Sequence, residues 1–555
     1  MTQGDMTHQP ELTQTHLGTG ALRSRRPIYQ DSLPPCNDAC PAGENIQAWL
    51  DLAQAGKFEA AWQKLIEENP LPAVHGRVCY HPCESACNRN FTDTSVSIHA
   101  VERFLGDMAL QEGWTPRFEP KPGGRRVLIV GAGPSGLAAA YHLTRLGHQV
   151  EIRDARSVAG GMISVGIPSY RMPRAELQAE IDRIIAMGVK ISLNHRVEDL
   201  TAEMAEGDFA AVFVAVGAHI SKKIDIPNRD ASRIVDAVSY LDKANSNQPL
   251  LLGRKVTVYG GGNTAMDAAR TAKRLGASEA VVVYRRDRKS MPAHDFEVQE
   301  ALEEGIEFKW LHTITEVGEG QMTIEVMELD EQGQPKPTGR FETLDSDAVI
   351  LAVGQESDTD FLRGIDGIAF KRDGTVIVGN DMMTGHEGIF AGGDTVPGDR
   401  SVTIATGHGK RAARYIDGWL RGEPFSYPKR HPLVDHNMIH LWYRTDAPQV
   451  EQQHLEGEER SHSFEEIVQG ISAEQALFEA RRCFSCGNCF ECDGCYGSCP
   501  EDAIIKLGRG KRYRFDFERC TGCAVCFEQC PCHAIEMIPE PDASAASLSG
   551  EQTHA

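Results

Sequence analysis

The chain has 555 residues, 41% of them hydrophobic, enough to bury more than one core and to divide into three or four domains. A formal net charge of −22 argues against a nucleic-acid partner and would steer the protein, if anything, toward a basic partner surface. No apolar run approaches a membrane span, and the opening MTQGDMTHQ lacks the basic and apolar regions of a signal peptide, so a cytoplasmic, reducing location is expected.

Residues 1–32 are polar and are expected to be disordered. From 33 to 120 the apolar spacing of IQAWLDLAQ and FEAAWQKLI is helical, interrupted by loops carrying Cys36, Cys40, Cys79, Cys83 and Cys87. These are five of sixteen cysteines; the other eleven lie between Cys483 and Cys532, and none lies between the two patches. Such segregation points to metal clusters flanking a cysteine-free core.

At Arg126 the pattern changes to RVLIVGAGPSGLAAAYHL, a buried strand, a glycine turn and a helix. Gly131, Gly133 and Gly136 form GxGxxG, which lets the backbone approach a pyrophosphate at the positive end of the next helix. Asp154 ends the following strand VEIRD, where a carboxylate accepts hydrogen bonds from a ribose. With Gly160, Gly161 and Met162, and with the distant AGGD (Gly393 and Asp394), this makes a flavin site. Asp394 is expected to bond the ribityl chain, and the helix starting near Val402 to point its amides at the ring. Residues 121–240 and 345–425 are assigned to this FAD-binding domain.

The pattern recurs at Lys255 in KVTVYGGGNTAMDAARTA, so 241–344 is expected to be an NAD(P)H-binding domain. Gly260, Gly262 and Ala265 form GxGxxA, with Asn263 counted among the cofactor-binding residues, and the strand VVVY ends in Arg285 and Arg286. Cations at that position, extended by Arg288 and Lys289, suit a 2′-phosphate and favour NADPH over NADH, while Asp287 among them works against that preference. The AVG triplets Ala215–Gly217 and Ala352–Gly354 stand where the chain crosses between the two units.

Residues 426–475 have no clear period and are expected to be a linker, and 541–555 a disordered tail. Between them, 476–540 carries Cys489-x2-Cys492-x2-Cys495-x3-Cys499-Pro and then Cys520-x2-Cys523-x2-Cys526-x3-Cys530-Pro, the duplicated run of a two-cluster bacterial ferredoxin. Because the fourth cysteine of each run ligates the other cluster, one [4Fe–4S] cluster takes Cys489, Cys492, Cys495 and Cys530, and the second takes Cys520, Cys523, Cys526 and Cys499. Cys483, Cys486 and Cys532 are not required by this register. A zinc ribbon or a disulfide framework is the alternative, but a tandem match of this length is hard to obtain by accident.

The expected fold class is α/β: two interleaved Rossmann-like domains, preceded by an α-helical iron–sulfur domain and followed by a ferredoxin-like α+β domain. From PPCNDACPAG, GRVCYHPCESACNR, GAGPSGLAAA, GGMISVGIPSYRMP, GGGNTAMDAARTA, VVVYRR and IFAGGD, the stretch from about Pro34 to Leu420 resembles the NADPH-oxidising small subunit of glutamate synthase and its flavoprotein relatives. Dihydropyrimidine dehydrogenase is similar in this half, but its substrate barrel has no counterpart here. The resemblance implies FAD in the first unit, a nicotinamide cofactor in the second and iron–sulfur clusters in the helical domain. By that resemblance Cys40, Cys79 and Cys83, with Glu102, hold one N-terminal cluster, leaving Cys36 and Cys87 as half of another. A single cluster drawing on the five cysteines is the alternative.

The chain departs from its relatives in lacking an upstream cysteine pair and in having x3 between Cys79 and Cys83. It reads as an electron-transfer enzyme whose chemistry is carried by flavin, with no catalytic acid or base. Its expected partner is a redox protein: a glutamate synthase large subunit, a 2-oxoacid:ferredoxin oxidoreductase, a sulfur-metabolism reductase or a soluble ferredoxin. A disulfide reductase needs a Cys-x-x-Cys beside the flavin, which the cysteine-free core lacks. A non-catalytic iron–sulfur scaffold is the remaining reading.

Overall fold

The computed structural model describes residues 23–541 except 223, 225, 228–232, 247 and 443; of the segments expected to be disordered, 1–32 and 541–555, residues 1–22 and 542–555 lie outside the described residues. In chain order, β1 (Arg25–Tyr29) precedes six helices: α1 (Pro35–Ala39), α2 (Ile46–Gln54), α3 (Phe58–Leu65), α4 (Pro72–Val78), α5 (Pro82–Ser85) and α6 (Ile98–Gln111). The apolar faces of α2 and α3 bring Trp49 and Trp62 to complete burial, and α4 lies along α6. That close approach is possible because Gly76 and Gly106 carry no side chain: a Cβ at either would enter the facing backbone.

The first nucleotide unit follows as β2 (Arg126–Val130), α7 (Pro134–Arg145), β3 (Gln149–Arg153), α8 (Met162–Val165), α9 (Arg174–Ala186), β4 (Lys190–Ser192), α10 (Leu200–Glu206) and β5 (Ala211–Val214). The chain then leaves through β6 (Ile220–Ser221) into the second unit. There it forms β7 (Arg233–Asp236), α11 (Ala237–Asn245), β8 (Lys255–Tyr259), α12 (Asn263–Arg274), β9 (Glu279–Tyr284), α13 (Asp295–Glu303) and β10 (Glu307–Trp310). A three-stranded antiparallel meander comes next, β11 (His312–Val317), β12 (Gln321–Leu329) and β13 (Pro335–Asp345), before β14 (Ala348–Leu351). Return is through β15 (Gln355–Glu356), paired antiparallel with β6, to β16 (Ile389–Ala391) and α14 (Val402–Arg421).

Both units are parallel five-stranded sheets, ordered β16-β5-β2-β3-β4 and β10-β9-β8-β14-β7. The interleaved Rossmann-like architecture is therefore present. The second unit is wider than the expected 241–344, because β7 and β14 pair with each other and β14 with β8. Four-residue strands on the far side of a crossover gave the sequence pattern little to register.

The C-terminal part comprises α15 (Gly457–His462), α16 (Ala473–Arg482), α17 (Gly494–Ser498), β17 (Ile504–Lys506), β18 (Tyr513–Phe515), α18 (Val525–Glu528) and β19 (Ile535–Pro539). Two features correct the domain plan. β1 pairs antiparallel with β19, from Arg25 opposite Pro539 to Tyr29 opposite Ile535, so residues 25–29 are an ordered strand of the tail. The helix α16 packs on α2 and α6 of the N-terminal domain.

Candidate cofactor sites

A cleft of about 1700 Å³ lies between the two nucleotide units. Gly131, Gly133, Asp154, Gly161, Met162, Gly393, Asp394 and Val402 line one side, and Asn263, Thr264 and Asp267 line the other. The two sheets thus turn their glycine loops toward one space, where a nicotinamide can approach a flavin.

Gly136, Gly160, Gly260, Gly262 and Ala265 stand behind the walls and shape them. At Gly131 the backbone takes φ +108°, and a Cβ there would collide with the carbonyl of Ala215; a Cβ at Gly260 would collide with that of Ala352. The AVG triplets therefore act as the floors on which the two glycine turns rest. β6 and β15 begin shortly after them, so the same segments carry the crossing between units.

The first turn fits a dinucleotide. The helix α7 starts at Gly133 without a side-chain cap, leaving its first amides to the cleft, and the buried Ser135 Oγ has no hydrogen-bond partner there. Asp154 sits where a ribose carboxylate was expected, and it also braces the turn: its oxygens accept from Ala132 N at 2.7 Å and Arg156 N at 2.8 Å. Burial pushes the Asp394 carboxyl up to about 6, with Arg400 pulling the other way. Ser401 caps α14 by accepting from Ile404 N at 3.1 Å, and the first turn of this helix faces the cleft.

In the second unit Asn263 is already engaged. Its Nδ2 donates to Tyr80 Oη at 2.6 Å, and its Oδ1 accepts from His294 N at 3.1 Å, while Tyr80 stacks on the His294 ring at 3.6 Å. Arg285 and Arg286 follow β9 outside the walls of the cleft; Arg285 is exposed, and Arg286 donates to Gln334 Oε1 at 3.1 Å. Asp287 caps its own turn, accepting from Ser290 N at 2.9 Å, which lowers its carboxyl, with the Lys289 charge acting in the same direction.

The N-terminal cysteines fall into two groups. Cys40, Cys79 and Cys83 face one another and Glu102, in a buried pocket where desolvation raises all four groups. Asn69 Nδ2 donates to Glu102 Oε1 at 2.7 Å and to Glu44 Oε1 at 2.9 Å. Glu44, pushed up to about 7 mainly by burial, is a second acid in this pocket that sequence reasoning missed. Cys79 lies between Val78 and Tyr80, both of which line the large cleft, and Thr403 in the first turn of α14 hydrogen-bonds its thiol. Cys36 and Cys87 face elsewhere, toward Cys483 and Cys486.

In the tail, Cys499, Cys520, Cys523 and Cys526 line one cavity, and Cys530 lies among Cys489, Cys492 and Cys495. Cys532 Sγ is 3.9 Å from Cys530 Sγ. Tyr29 of β1 covers this end, its hydroxyl 3.5 Å from Cys495 Sγ and its ring stacked on Phe515. Among the described residues, no three cysteine sulfurs all lie within 4.8 Å of one another. Thiolates on one tetrahedral zinc at about 2.3 Å would be closer than that; a cubane spreads them, because each binds a different iron.

Two facing glycine turns on interleaved parallel sheets define a flavin- and pyridine-nucleotide-dependent oxidoreductase. Residues 125–409 match the pyridine nucleotide-disulphide oxidoreductase family, 21–114 the 4Fe–4S domain II of dihydropyrimidine dehydrogenase, and 513–536 a 4Fe–4S binding domain. The chain is 36% identical to the NADPH-Fe(3+) oxidoreductase subunit beta of Geobacter sulfurreducens, over 81% of this chain and 75% of that one. It is 35% identical to the NADP(+)-dependent formate dehydrogenase subunit beta of Moorella thermoacetica, over 81% and 70%. Against the glutamate synthase [NADPH] small chain of Escherichia coli K12 it is 33% identical, over 70% and 89%. The chain belongs to the glutamate synthase small chain-like family of NAD(P)H-dependent FAD and iron–sulfur oxidoreductases, with 4Fe–4S domains at both ends. Among the described residues no helix is long and apolar enough to cross a membrane.

Proposed function

We propose that the protein moves hydride between NADPH and FAD, and single electrons through [4Fe–4S] clusters to or from a partner redox subunit. Bound FAD supplies the exchange between a two-electron hydride and one-electron carriers. The protein's own work is positional: the turn at Gly131–Ser135 orients a pyrophosphate, the start of α14 presents amides to the ring, and Cys79 brings a cluster ligand to the wall of the same cleft.

The observation that carries this reading is Cys79 itself, flanked by two cleft residues and bonded by Thr403 from the flavin-facing helix. Cys40, Cys79, Cys83 and Glu102 are assigned to the cluster nearest the flavin, and the eight tail cysteines to two ferredoxin clusters in the register given above. Arg285 and Arg286 are assigned to the 2′-phosphate; they stand free of the cleft walls at the strand end where that group is read.

The partner is proposed to be a catalytic subunit that exchanges electrons with the ferredoxin end. This is supported by the beta-subunit names of the Geobacter and Moorella relatives and by a tail that the small chain of glutamate synthase does not require. Anaerobic absorbance tests the whole reading: NADPH is expected to bleach flavin first and then the broad iron–sulfur band. The double variant Arg285→Ala, Arg286→Ala should raise the KM for NADPH about tenfold, about 1.4 kcal/mol, and leave that for NADH unchanged. Equal effects on both cofactors would refute the 2′-phosphate assignment.

A further inference from the structure

Four cysteines drawn from opposite ends of the chain meet in one place. Cys36 and Cys87 of the helical domain, with Cys483 and Cys486, line a cavity of about 380 Å³. The cavity lined by Cys499, Cys520, Cys523 and Cys526 in the tail, whose spacing is that of a cubane motif, is about 340 Å³. The two holes therefore have nearly the same size and the same number of thiols.

The donors are prepared for anionic sulfur. Asn88 Nδ2 donates to Cys486 Sγ at 3.4 Å, Ser485 N donates to Cys483 Sγ at 3.3 Å, and backbone amides of Val96 and Arg89 bond the Cys87 thiol. Two buried guanidinium groups, Arg89 and Arg482, stand beside the cavity, ion-paired to Asp93 and Glu479, and Arg482 favours the anionic form of Cys87. Four thiols facing one another in a buried hole are hard to satisfy by themselves, and the sulfur spread given above is too wide for a single zinc ion.

The far pair is held firmly. Buried Glu479 accepts from Ser97 N at 2.8 Å and Val450 N at 2.6 Å, and Arg482 Nη1 donates to Ser95 O at 2.7 Å, so α16 delivers Cys483 and Cys486 as part of the helical domain.

We propose that Cys36, Cys87, Cys483 and Cys486 bind a fourth [4Fe–4S] cluster shared between the two ends of the chain, placed between the flavin-side cluster and the ferredoxin module. It rests on the reading of the neighbouring cysteine groups as clusters. The order follows from proximity: the Cys83 thiol feels the charge of Cys36 as well as of Cys40 and Cys79, Cys486 is three residues from Cys489, and Cys526 feels that of Cys495. NADPH supplies the electron pair, and this site accepts one electron from its flavin-side neighbour and gives one to the next, with no bond made or broken. The missing upstream cysteine pair of the relatives is thereby replaced from the C-terminal end.

The test is iron and acid-labile sulfide per flavin in anaerobically prepared full-length holoenzyme. The expected count is about sixteen irons for the wild type and about twelve for Cys483→Ser, Cys486→Ser, with flavin content retained. The single variant Cys486→Ser guards against misfolding: it should keep the other clusters and show either the signal of a three-iron cluster or a changed reduced spectrum. A wild-type count of twelve, or a double variant that keeps the wild-type iron and spectrum, overturns the proposal. Failure of the underlying functional reading looks different, because Cys523→Ser, Cys526→Ser in the tail would then lose no iron.

Discussion

The tail and the helical domain both gather cysteines, but they do so in opposite ways. In the tail two short runs bring their thiols together locally, alongside β17, β18 and β19. In the helical domain Cys36 and Cys87 meet Cys483 and Cys486 in one cavity only because α16, far along the chain, packs on α2 and α6. A contiguous motif encodes its site by spacing, whereas an assembled site depends on the packing that holds distant segments together.

Removing that packing is the hardest blow to the assembled end. Glu479→Gln removes the charge that faces buried Arg482 at 2.9 Å, leaving Asp93 at 3.4 Å as its carboxylate partner, and should cost about 3 kcal/mol and loosen Cys483 and Cys486 while sparing the iron assigned to the tail. Thermal unfolding together with iron counts would show whether the two ends respond separately. The cleft between them gives a pH-dependent control. Because burial raises Asp394 to about 6, the apo-protein binds a proton on folding that the unfolded chain has already released. Stability should therefore fall by up to about 3 kcal/mol as pH rises from 4 through 6. Asp394→Asn should flatten that fall in urea titrations run across the window.

At the flavin wall, Cys79→Ser should leave NADPH bleaching of flavin intact but slow cluster reduction about a hundredfold, roughly 2.7 kcal/mol in barrier, as read by stopped-flow absorbance. A smaller effect is expected at the tail's borrowed strand. Arg23 donates to both carboxylate oxygens of Glu540, at 2.6 and 2.7 Å, so Arg23→Ala should cost about 1 to 2 kcal/mol and fray β1 in hydrogen exchange. Smallest of all, Cys532→Ala should leave the iron count unchanged; loss of iron there would mean that the tail's register is not self-contained.

The sequence made the two glycine units and the ferredoxin runs legible because each is a local pattern: alternation of strand and helix, fixed glycine spacing, repeated Cys-x2-Cys. Asp154, Asp394 and the start of α14, which the structure places at the cleft, were picked out for the same reason. What it hid was pairing over long separations. β7 and β14 are short strands whose membership depends on hydrogen-bond partners, and Cys483 and Cys486 look superfluous until α16 is seen on α2 and α6. Ser135 and Tyr80 did carry signals, one inside the glycine motif and the other next to Cys79, but only their burial and partners show how they are used.

The pairing of Arg25–Tyr29 with Ile535–Pro539 also sets an order for synthesis. On the ribosome β1 emerges well before its partner, so the early strand and the nearby Cys36 must wait, unpaired, until β19 has been made. The two nucleotide units have no such delay and are free to close behind them. If the shared and C-terminal sites take clusters as proposed, iron delivery to them follows the synthesis of both segments, and a chain cut before β19 loses the partner of β1 as well.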